Sequence, residues 1–470
     1  MPTPSKRYHL TLKAHPVEYQ PDPIHYFTRI RELEGAILLD SGTPSPEAGR
    51  FDFMSARPIA TLITNQLGKA FSPQYPELAE SPIEAQRQLL DQLHIDENSE
   101  IPEDIPFHCG LIGTWSYNSG RSLEGLPACN GSTDAFNQLP ASWIGLYTWV
   151  LVQDHAKQTS YIIADETQLK HIIPLFNDKP NNGNEIEPFK LISAFSPVMS
   201  RYAYRKAFKQ IKNYITAGDC YQVNLTQAFV SDYSGSEWHA YLHLREATLS
   251  PFSAYLNTGG MAPFHLLSVS PERFISVDQG NIITQPIKGT RPRGHTPEED
   301  SHYATELENS RKDLAENVMI VDLLRNDIGR VASPGSVQVT QLAKRIAYAN
   351  VHHLVSTIEG RLAAGQDTHD LLAASLPGGS ITGAPKHRAM EIIDEVEACG
   401  RSYYCGSIGY IDYRGNMDTS ITIRTAVMTD NSVRIWGGGG IVSDSLEEEE
   451  YEESIIKIKR LMAALESSTY

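Results

Sequence analysis

The residues best suited to chemistry are one lysine and two acids that border apolar segments. Lys288 ends a β-branched run in NIITQPIKGTRPRG, just before the chain turns. Glu316 adjoins the apolar run Val318 to Leu324, and Glu453 lies one helical turn beyond Glu449. An acid that points inward needs a partner, and a cation is the obvious one. Two carboxylates from different helices, without a Cys or His cluster, favour an oxygen-preferring ion such as Mg²⁺.

Each of these residues also has an ordinary structural interpretation. Lys288 alone is typical of a surface turn, and most acids of a helix form a solvated face. Glu447 to Glu450 suit the first turn of a helix, where the helix dipole favours negative charge. The histidines of NVHHLVSTIEG alternate with apolar residues as in a strand, so we expect one of the pair to point into the core.

Two glycine-rich segments resemble phosphate-binding loops only superficially. GGSITGAPK and WGGGGIVSDS contain neither of the common nucleotide-binding patterns. Two interpretations stay open: a pair of tight turns, or bare backbone N–H groups that approach an anion. ATP and NAD are therefore disfavoured as ligands.

Composition restricts the class of protein. The chain has 470 residues and a formal net charge of −17, which argues against nucleic-acid binding. Five cysteines without CxxC spacing suit a reducing cytoplasm. The N-terminal segment has no signal-peptide pattern, and we find no apolar run long enough for a membrane span. We expect a cytoplasmic protein.

The elements that must position these residues change in character along the chain. Short β-like runs dominate the first part, and the polar stretch Asn177 to Pro188 is the best linker or long loop. Beyond it, RYAYRKAFKQIKNYITAGD has helical spacing and stops at Gly218. TELENSRKDLAENVMIVDLLRNDIGR predicts one helix of about 25 residues, and SLEEEEYEESIIKIKRLMAALE predicts a closing helix. The whole is α+β with large antiparallel sheets.

Several long motifs occur together in one order over the C-terminal part of the chain. They are SPERFI, PIKGT, AENVMIVDLLRNDIGRV, VHHLVSTI, LPGGSITGAPKHRAMEIIDE, CGSIGYID, NMDTSITIRTA and GGGGIVSDS. In these motifs the chain resembles the chorismate-utilising enzymes, a family that includes anthranilate synthase component I, isochorismate synthase and salicylate synthase. The resemblance implies two large antiparallel sheets packed as a sandwich with helices outside. It implies a β-rich region, 1–190, interleaved with a chorismate-binding catalytic region, 191–470.

The resemblance also implies the reaction. Family members that aminate chorismate at ring carbon 4, for p-aminobenzoate and folate synthesis, carry PIKGT, whereas anthranilate and isochorismate synthases have alanine at the position of Lys288. By this resemblance Lys288 attacks ring carbon 2 as the carbon 4 hydroxyl leaves, and ammonia then adds at carbon 4 and expels the lysine. Such a nucleophile must be neutral. We place Lys386 as a neighbouring cation that favours the neutral form.

The same resemblance assigns roles to further residues. Glu316 and Glu453 match the glutamates that hold Mg²⁺, and Glu272 matches the general acid that protonates the departing hydroxyl. His353 matches the active-site histidine, and Gln222 stands where isochorismate synthases carry a base lysine. The predicted substrate contacts are Arg424, Tyr404, Ser380, Gly438, Gly440 and Lys386.

Partners follow from what the chain lacks. Neither Cys109 nor Cys405 lies in the GxCxG turn of a glutaminase, so the resemblance implies that a separate glutamine amidotransferase subunit supplies ammonia. Ser41 in LLDSG matches the serine of a tryptophan pocket, and tryptophan binding is a hypothesis. The alternatives are anthranilate synthase component I, which Lys288 disfavours, and a non-catalytic tryptophan-binding subunit, which the complete set of site residues disfavours.

Overall fold

Short strands dominate the fold, as the sequence predicts. The computed structural model describes residues 7–42, 49–127, 134–177, 187–348 and 351–467, so Cys129 and most of the predicted linker lie outside the described residues. In chain order the strands are β1 Tyr8–Leu10, β2 Leu12–Val17, β3 Ala36–Asp40, β4 Phe51–Ser55, β5 Ala60–Thr64, β6 Ala70–Phe71, β7 Leu93–Ile95, β8 Gly110–Trp115, β9 Ser142–Tyr147, β10 Val150–Asp154, β11 Thr159–Asp165, β12 Lys190–Leu191, β13 Ser196–Pro197, β14 Gln222–Ser234, β15 Phe252–Asn257, β16 His265–Ser270, β17 Arg273–Asp278, β18 Asn281–Thr284, β19 Ile287–Pro292, β20 Gln338–Ala347, β21 Val351–Arg361, β22 Gly383–Ala384, β23 Ser407–Asp412, β24 Met417–Ile421, β25 Thr425–Thr429 and β26 Ser432–Ile441.

The helices follow the same order. They are α1 Ile24–Phe27, α2 Pro82–Leu90, α3 Tyr117–Leu123, α4 Ala135–Gln138, α5 Glu166–Asn177, α6 Arg201–Ala217, α7 Glu237–Thr248, α8 Pro297–Glu308, α9 Arg311–Gly329, α10 Thr368–Ser375, α11 Lys386–Val396 and α12 Glu447–Ser467, with one 3₁₀ turn at Gly379–Ile381. None of the helices in the described ranges is both long and apolar enough to cross a membrane.

Two large antiparallel sheets form the frame, so the predicted α+β class is confirmed. One has 13 strands and the central order β12-β14-β26-β25-β16-β15-β3-β4-β10-β11-β2. The other has 11 strands and the order β19-β21-β18-β17-β24-β23-β8-β9-β5-β6. Both sheets take strands from either side of residue 190, and the division there stays a prediction.

The core divides into two parts that explain the layers. The larger cluster joins inward side chains of both sheets, such as Val152 and Ile408, to residues of α6, α9, α10 and α11. A second cluster packs α5, α7 and α12 onto the outer face of the 13-stranded sheet. The apolar stripes of these helices and the strand faces thus bury one another, which is the main source of stability.

The helix predictions succeed where caps are clear. In α6, Tyr204, Ala207, Phe208 and Ile211 are buried and Gly218 ends the helix at a φ of 87°. The predicted 25-residue helix is wrong, because it is two helices, α8 and α9. The Ser310 side chain accepts a hydrogen bond from the Asp313 N–H and so begins a second helix.

Two links carry the chain from one sheet to the other. Pro271 and Glu272 join β16 of the 13-stranded sheet to β17 of the 11-stranded sheet. Thr422 to Arg424 join β24 to β25 in the opposite sense, and this break divides the run TSITIRTAVMT into two strands. Arg424 has a φ of 51°, an uncommon conformation for a residue other than glycine and one that is enriched at functional sites.

Candidate active site

Lys288 lies on β19, the edge strand of the 11-stranded sheet, where a bulge changes its direction. The pairing with β21 shifts between Lys288, which faces Leu354, and Thr290, which faces His353. Gly289 takes the extra position at a φ of 73°. The half-buried Lys288 reaches the turn that contains Ser380, and its Nζ donates to the Ser380 carbonyl at 3.2 Å. Bulges of this kind redirect side chains beside functional sites.

We expect Gly289→Ala to destabilise the protein more than the positive φ of this residue alone would. A Cβ on Gly289 would lie 2.8 Å from Leu307 Cδ1 and 3.0 Å from Asp313 Cβ. Gly280 provides a matched control, because it has a φ of 80° with open space around the same position. Urea denaturation should show a loss of about 1–2 kcal/mol in the free energy of unfolding for Gly280→Ala and a larger loss for Gly289→Ala. Equal losses would show that the neighbours of Gly289 do not constrain the bulge.

Glu272 is a buried acid beside Lys288. It is 5% exposed, and burial raises the pKa of its carboxyl to about 6 although Lys288 and hydrogen bonds from the Ser380 hydroxyl and Ile287 N–H oppose the shift. A carboxyl with this pKa is partly protonated near neutral pH. Glu272 is therefore able to donate a proton to a bound group.

His353 and Arg424 interact with each other, and Arg424 also interacts with Glu272. Both histidines of β21 are buried, and as neighbours on one strand they point to opposite faces. The helices α8 and α9 cover the face of β21 that carries His352, and Asp300 of α8 lies 3.0 Å from His352 Nε2. Burial and the charge of Arg424 lower the pKa of His353 to about 3, and its Nδ1 is 2.9 Å from Thr290 Oγ1. His353 is a neutral imidazole at physiological pH.

The Arg424 guanidinium is available to an anion. No hydrogen bond or ion pair from this side chain to another described residue is present, while burial and nearby Arg460 lower its pKa. A guanidinium in this state has unused donors in a fork that suits a carboxylate. Glu272 is the acid that most favours the charged form of the Arg424 guanidinium.

Three carboxylates rather than two interact electrostatically between α9 and α12. Burial raises the pKa of Glu316, and the charges of Glu453 and Glu450 add to this increase. Glu450 is 1% exposed and its Oε2 has no partner among the described residues. The helix dipole alone does not account for this burial of Glu450. The spacing of Glu450 from Glu453 is one helical turn, which could have placed both acids on one face.

Two lysines that the sequence analysis missed partly neutralise these acids. Lys312 Nζ lies 2.9 Å from Glu450 Oε1, and Lys457 Nζ lies 2.7 Å from Glu453 Oε1. Lys457 lowers the pKa of Glu453 and also donates to the Gly438 carbonyl at 3.0 Å. Its position one turn after Glu453 is the signal that could have identified it.

The run of four glycines is part of an extended strand, so the first of the two open interpretations, a tight turn, does not apply there. Gly438 and Gly440 lie within β26, paired to Thr226 and Asn224 of β14. A Cβ on Gly439 would lie 3.1 Å from Glu450 Oε2 and 3.5 Å from Glu453 Oε1. The missing side chains let the acids of α12 approach the strand.

Tyr404 and Ser380 complete the group of residues that the structure brings together. Tyr404 is 5% exposed and stacks on Trp436 of β26, with ring centroids 6.1 Å apart and an interplanar angle of 5°. Burial raises the pKa of the Tyr404 phenol well above its usual range. Ser380 lies in the 3₁₀ turn that contacts both Lys288 and Glu272.

Lys386 has a different environment from the one expected. Its Nζ lies 2.7 Å from Asp327 Oδ2 and 4.0 Å from Glu124 Oε1, and it is 5% exposed. Burial raises the pKa of Asp327 to about 6, and Lys386 opposes the shift. The Lys386 ammonium is thus committed to a buried ion pair, and its predicted contact with substrate stays a prediction.

Ser41 lies apart from this cluster, at a cavity of about 720 Å³ that Phe252 and Arg273 also line. The Ser41 N–H and hydroxyl both donate to Asp52 Oδ1 at 2.7 Å. Asp52 Oδ2 lies 2.7 Å from His155 Nε2. The cavity has the size of a small-molecule site.

The carboxylates meet the donor requirements of Mg²⁺. Across the described ranges no three or more His, Cys, Asp and Glu residues gather into a ready-made metal cluster. Glu316 and Glu453 nevertheless offer oxygen donors, and the unpartnered Glu450 Oε2 adds negative charge beside them. Mg²⁺ commonly binds one or two carboxylates and takes its other ligands from water and substrate. The site therefore fits this ion.

The comparisons with known proteins agree with the resemblance found in the sequence motifs. The family described as chorismate binding enzyme matches residues 35–463. Aminodeoxychorismate synthase component 1 of Escherichia coli (strain K12) is 44% identical over 447 residues, which cover 94% of this chain and 95% of the relative. Anthranilate synthase component 1 of Thermus thermophilus is 38% identical over 383 residues, which cover 78% of this chain and 79% of the relative.

A solved structure is similar over most of its length. Anthranilate synthase component I from Streptococcus pneumoniae superposes with a TM-score of 0.75 at 29% identity. The match covers 89% of this chain and 93% of that one. The expected sandwich of two antiparallel sheets is confirmed.

Proposed function

This chain belongs to the chorismate binding enzymes, and on that premise we propose that it functions as an aminodeoxychorismate synthase. It converts chorismate and ammonia to 4-amino-4-deoxychorismate, the precursor of p-aminobenzoate in folate synthesis. The observation that carries the assignment is Lys288, whose Nζ contacts the same turn as the buried Glu272. Three relatives named aminodeoxychorismate synthase component 1 are 43% to 44% identical over 94% to 96% of the chain.

The first step combines a nucleophile with an acid. The neutral Lys288 Nζ forms a bond to ring carbon 2, the ring double bonds shift, and the bond from carbon 4 to the hydroxyl breaks. Hydroxide is a poor leaving group, so the protonated Glu272 carboxyl donates its proton and water departs. The resulting Glu272 carboxylate is stabilised by hydrogen bonds from Ser380 and Ile287.

The second step reverses the displacement with a different nucleophile. Ammonia forms a bond to carbon 4, the double bonds shift back, and the bond from carbon 2 to Lys288 breaks. Lys288 departs as the neutral amine, and the added nitrogen gives up one proton, which restores the Glu272 carboxyl. Gln222 is buried near Gly440, and an amide there cannot deprotonate water, which disfavours the isochorismate reaction.

Residues that do not react orient chorismate in the site. The unpaired Arg424 guanidinium suits the enolpyruvyl carboxylate, and the family resemblance assigns Tyr404 to the same group. His353 is neutral, so it offers both a donor and an acceptor without adding charge. Mg²⁺, when bound to Glu316 and Glu453, would hold the ring carboxylate and neutralise its charge.

Loss of Glu453 should weaken the metal site selectively. We expect Glu453→Gln to reduce affinity for Mn²⁺, a paramagnetic substitute for Mg²⁺, by at least about 10-fold, because removal of even an indirect ligand contact costs this much. Titration followed by electron paramagnetic resonance measures binding without turnover. Glu452→Gln is the control, since Glu452 is the exposed neighbour on α12. Equal Mn²⁺ affinities for the two variants would contradict the metal assignment.

A separate glutamine amidotransferase subunit is the proposed source of ammonia, and the two form a heterodimer. None of the cysteines in the described residues has the raised reactivity of a glutaminase nucleophile: burial raises the pKa of Cys109, Cys220, Cys399 and Cys405. These four cysteines are also free thiols, which supports a reducing compartment such as the cytoplasm.

Tryptophan is the proposed occupant of the cavity at Ser41. The support is the cavity's size and the position of Ser41, which matches the serine of a family tryptophan pocket. Isothermal titration with tryptophan should show saturable heat and a raised melting temperature. The absence of both effects would contradict the proposal that tryptophan binds in this cavity.

Turnover with ammonium tests the proposed function. The purified chain should consume chorismate when Mg²⁺ and ammonium are present and should not consume it with glutamine alone. Ammonium-dependent turnover also excludes a non-catalytic tryptophan-binding subunit. No turnover under any ammonium concentration would contradict the proposal.

A further inference from the structure

Arg401 and Glu397 form a buried ion pair that has no part in the mechanism above. The Arg401 side chain is 1% exposed and that of Glu397 is 5% exposed. Arg401 Nη2 donates to Glu397 Oε1 at 2.6 Å and Nε donates to Oε2 at 2.9 Å. Such a bidentate pair fixes both position and orientation. A buried pair of this kind contributes little net stability over apolar residues, so its presence calls for another explanation.

The pair connects to the turn that holds Ser380. Arg401 Nη1 donates to the Ile381 carbonyl at 2.7 Å, and Asn224 Nδ2 donates to the same oxygen at 3.0 Å. Ile381 follows Ser380 directly in the 3₁₀ turn. The Ser380 carbonyl accepts from Lys288 Nζ, and the Ser380 hydroxyl bonds Glu272. The guanidinium thus fixes the turn that contacts both reacting side chains.

The pair also connects to two other segments of the site. The Glu397 Oε1 atom accepts from the Thr226 N–H and hydroxyl, each at 2.9 Å. Thr226 is paired with Gly438 of β26, and a Cβ on Gly438 would lie 2.7 Å from Thr226 Cγ2. The Arg401 carbonyl accepts from the Tyr404 N–H at 2.8 Å. The two side chains therefore connect the segments of Ser380 and Gly438, and the Arg401 backbone connects that of Tyr404.

We propose that Arg401 and Glu397 are positioning residues that set the distance between Lys288 and Glu272 by holding the Ser380 turn. This inference rests on the proposed function. Glu397 holds β14 through Thr226, and Arg401 holds both the turn and the Asn224 carbonyl of β14. The ion pair thus reinforces the direct contacts of Asn224 that fix the turn against β14. A displacement of the turn by about 1 Å would cost catalysis about 100-fold although neither residue touches substrate.

Arg401→Lys is the test, because lysine keeps the positive charge and loses the bidentate contact. We expect kcat to fall about 10- to 100-fold with KM changed less than about threefold, measured on the folded fraction well below the melting temperature. Arg87→Lys is the matched control. Arg87 makes the same bidentate contact to Asp367, at 2.7 and 3.0 Å, between α2 and α10. We expect its kcat to equal that of the unmodified protein.

The pH profile separates positioning from a merely structural role. The Ser380 hydrogen bond lowers the pKa of Glu272, so a displaced turn should move the pH dependence assigned to Glu272 to higher pH in Arg401→Lys. Unchanged kcat and an unchanged profile in folded Arg401→Lys would overturn the inference, as would a rise in KM alone. If Arg401→Lys does not fold, Glu397→Gln is judged by the same criteria. A failure of the proposed function is distinguishable, because the unmodified chain would then lack amination activity.

Discussion

Replacement of Lys288 by alanine should lower the rate of chorismate amination by at least about 1,000-fold, equivalent to about 4 kcal/mol in the activation barrier. Alanine removes the nucleophile whose attack at carbon 2 displaces the hydroxyl from carbon 4. It leaves the acid Glu272 and the anion contact Arg424 in place, so the affinity for chorismate should change much less than kcat. Steady-state kinetics with ammonium measures both quantities.

A mass measurement identifies the reason for this loss. When chorismate and Mg²⁺ are mixed with the unmodified chain without ammonia, a fraction should gain the mass of chorismate minus one water. Peptide mapping should place the addition on Lys288, and Lys288→Ala should show none. Lys344→Ala is the control, because Lys344 is an exposed lysine of β20, and both its adduct and its rate should match the unmodified chain. An adduct in Lys288→Ala, or an unaltered rate, would contradict the covalent route.

Glu272→Gln should produce the second largest loss, about 100- to 10,000-fold in kcat, because the amide cannot protonate the departing hydroxyl. Glutamine has nearly the same shape, so the buried position should still be filled and the melting temperature should change little. Removal of a carboxyl whose pKa is raised by burial should not destabilise the fold at neutral pH. Kinetics and thermal unfolding on the same preparation distinguish the two effects.

The pH dependence gives an independent signature of Glu272. Its pKa is raised to about 6 by burial, and only the protonated acid can donate to the hydroxyl. The ratio of kcat/KM for the unmodified protein to that for Glu272→Gln should therefore fall as the pH rises above about 6. An unchanged ratio across this range would assign the titration to another group.

Local signals in the sequence predict much of the fold. The helix α6 was predicted because its apolar spacing ends at Gly218, and this glycine ends it in the structure. Strands such as β3 and β11 follow from β-branched runs bounded by turn residues. Sheet order was beyond local signals, since β14 pairs with β26 about 200 residues further along the chain and only the family resemblance implied the sandwich.

In the candidate site, too, local sequence signals predict only some of the features, and the others depend on tertiary structure. Periodicity alone favoured solvated acids, and the resemblance selected Glu316 and Glu453, which the structure places in mutual interaction. Glu450 was missed because helix capping explained it well enough, although its burial comes from packing of α12 against β26. Lys386 was expected near Lys288, but its ion pair with Asp327 depends on how α9 and α11 pack. Tertiary packing decides each of these cases.

Product identity is the measurement that tests the central claim most directly. The purified chain is incubated with chorismate, Mg²⁺ and ammonium, and aminodeoxychorismate lyase is then added. We predict p-aminobenzoate, formed only after lyase addition and lost in Lys288→Ala. Fluorescent anthranilate formed without lyase would contradict the account and place this chain in tryptophan synthesis.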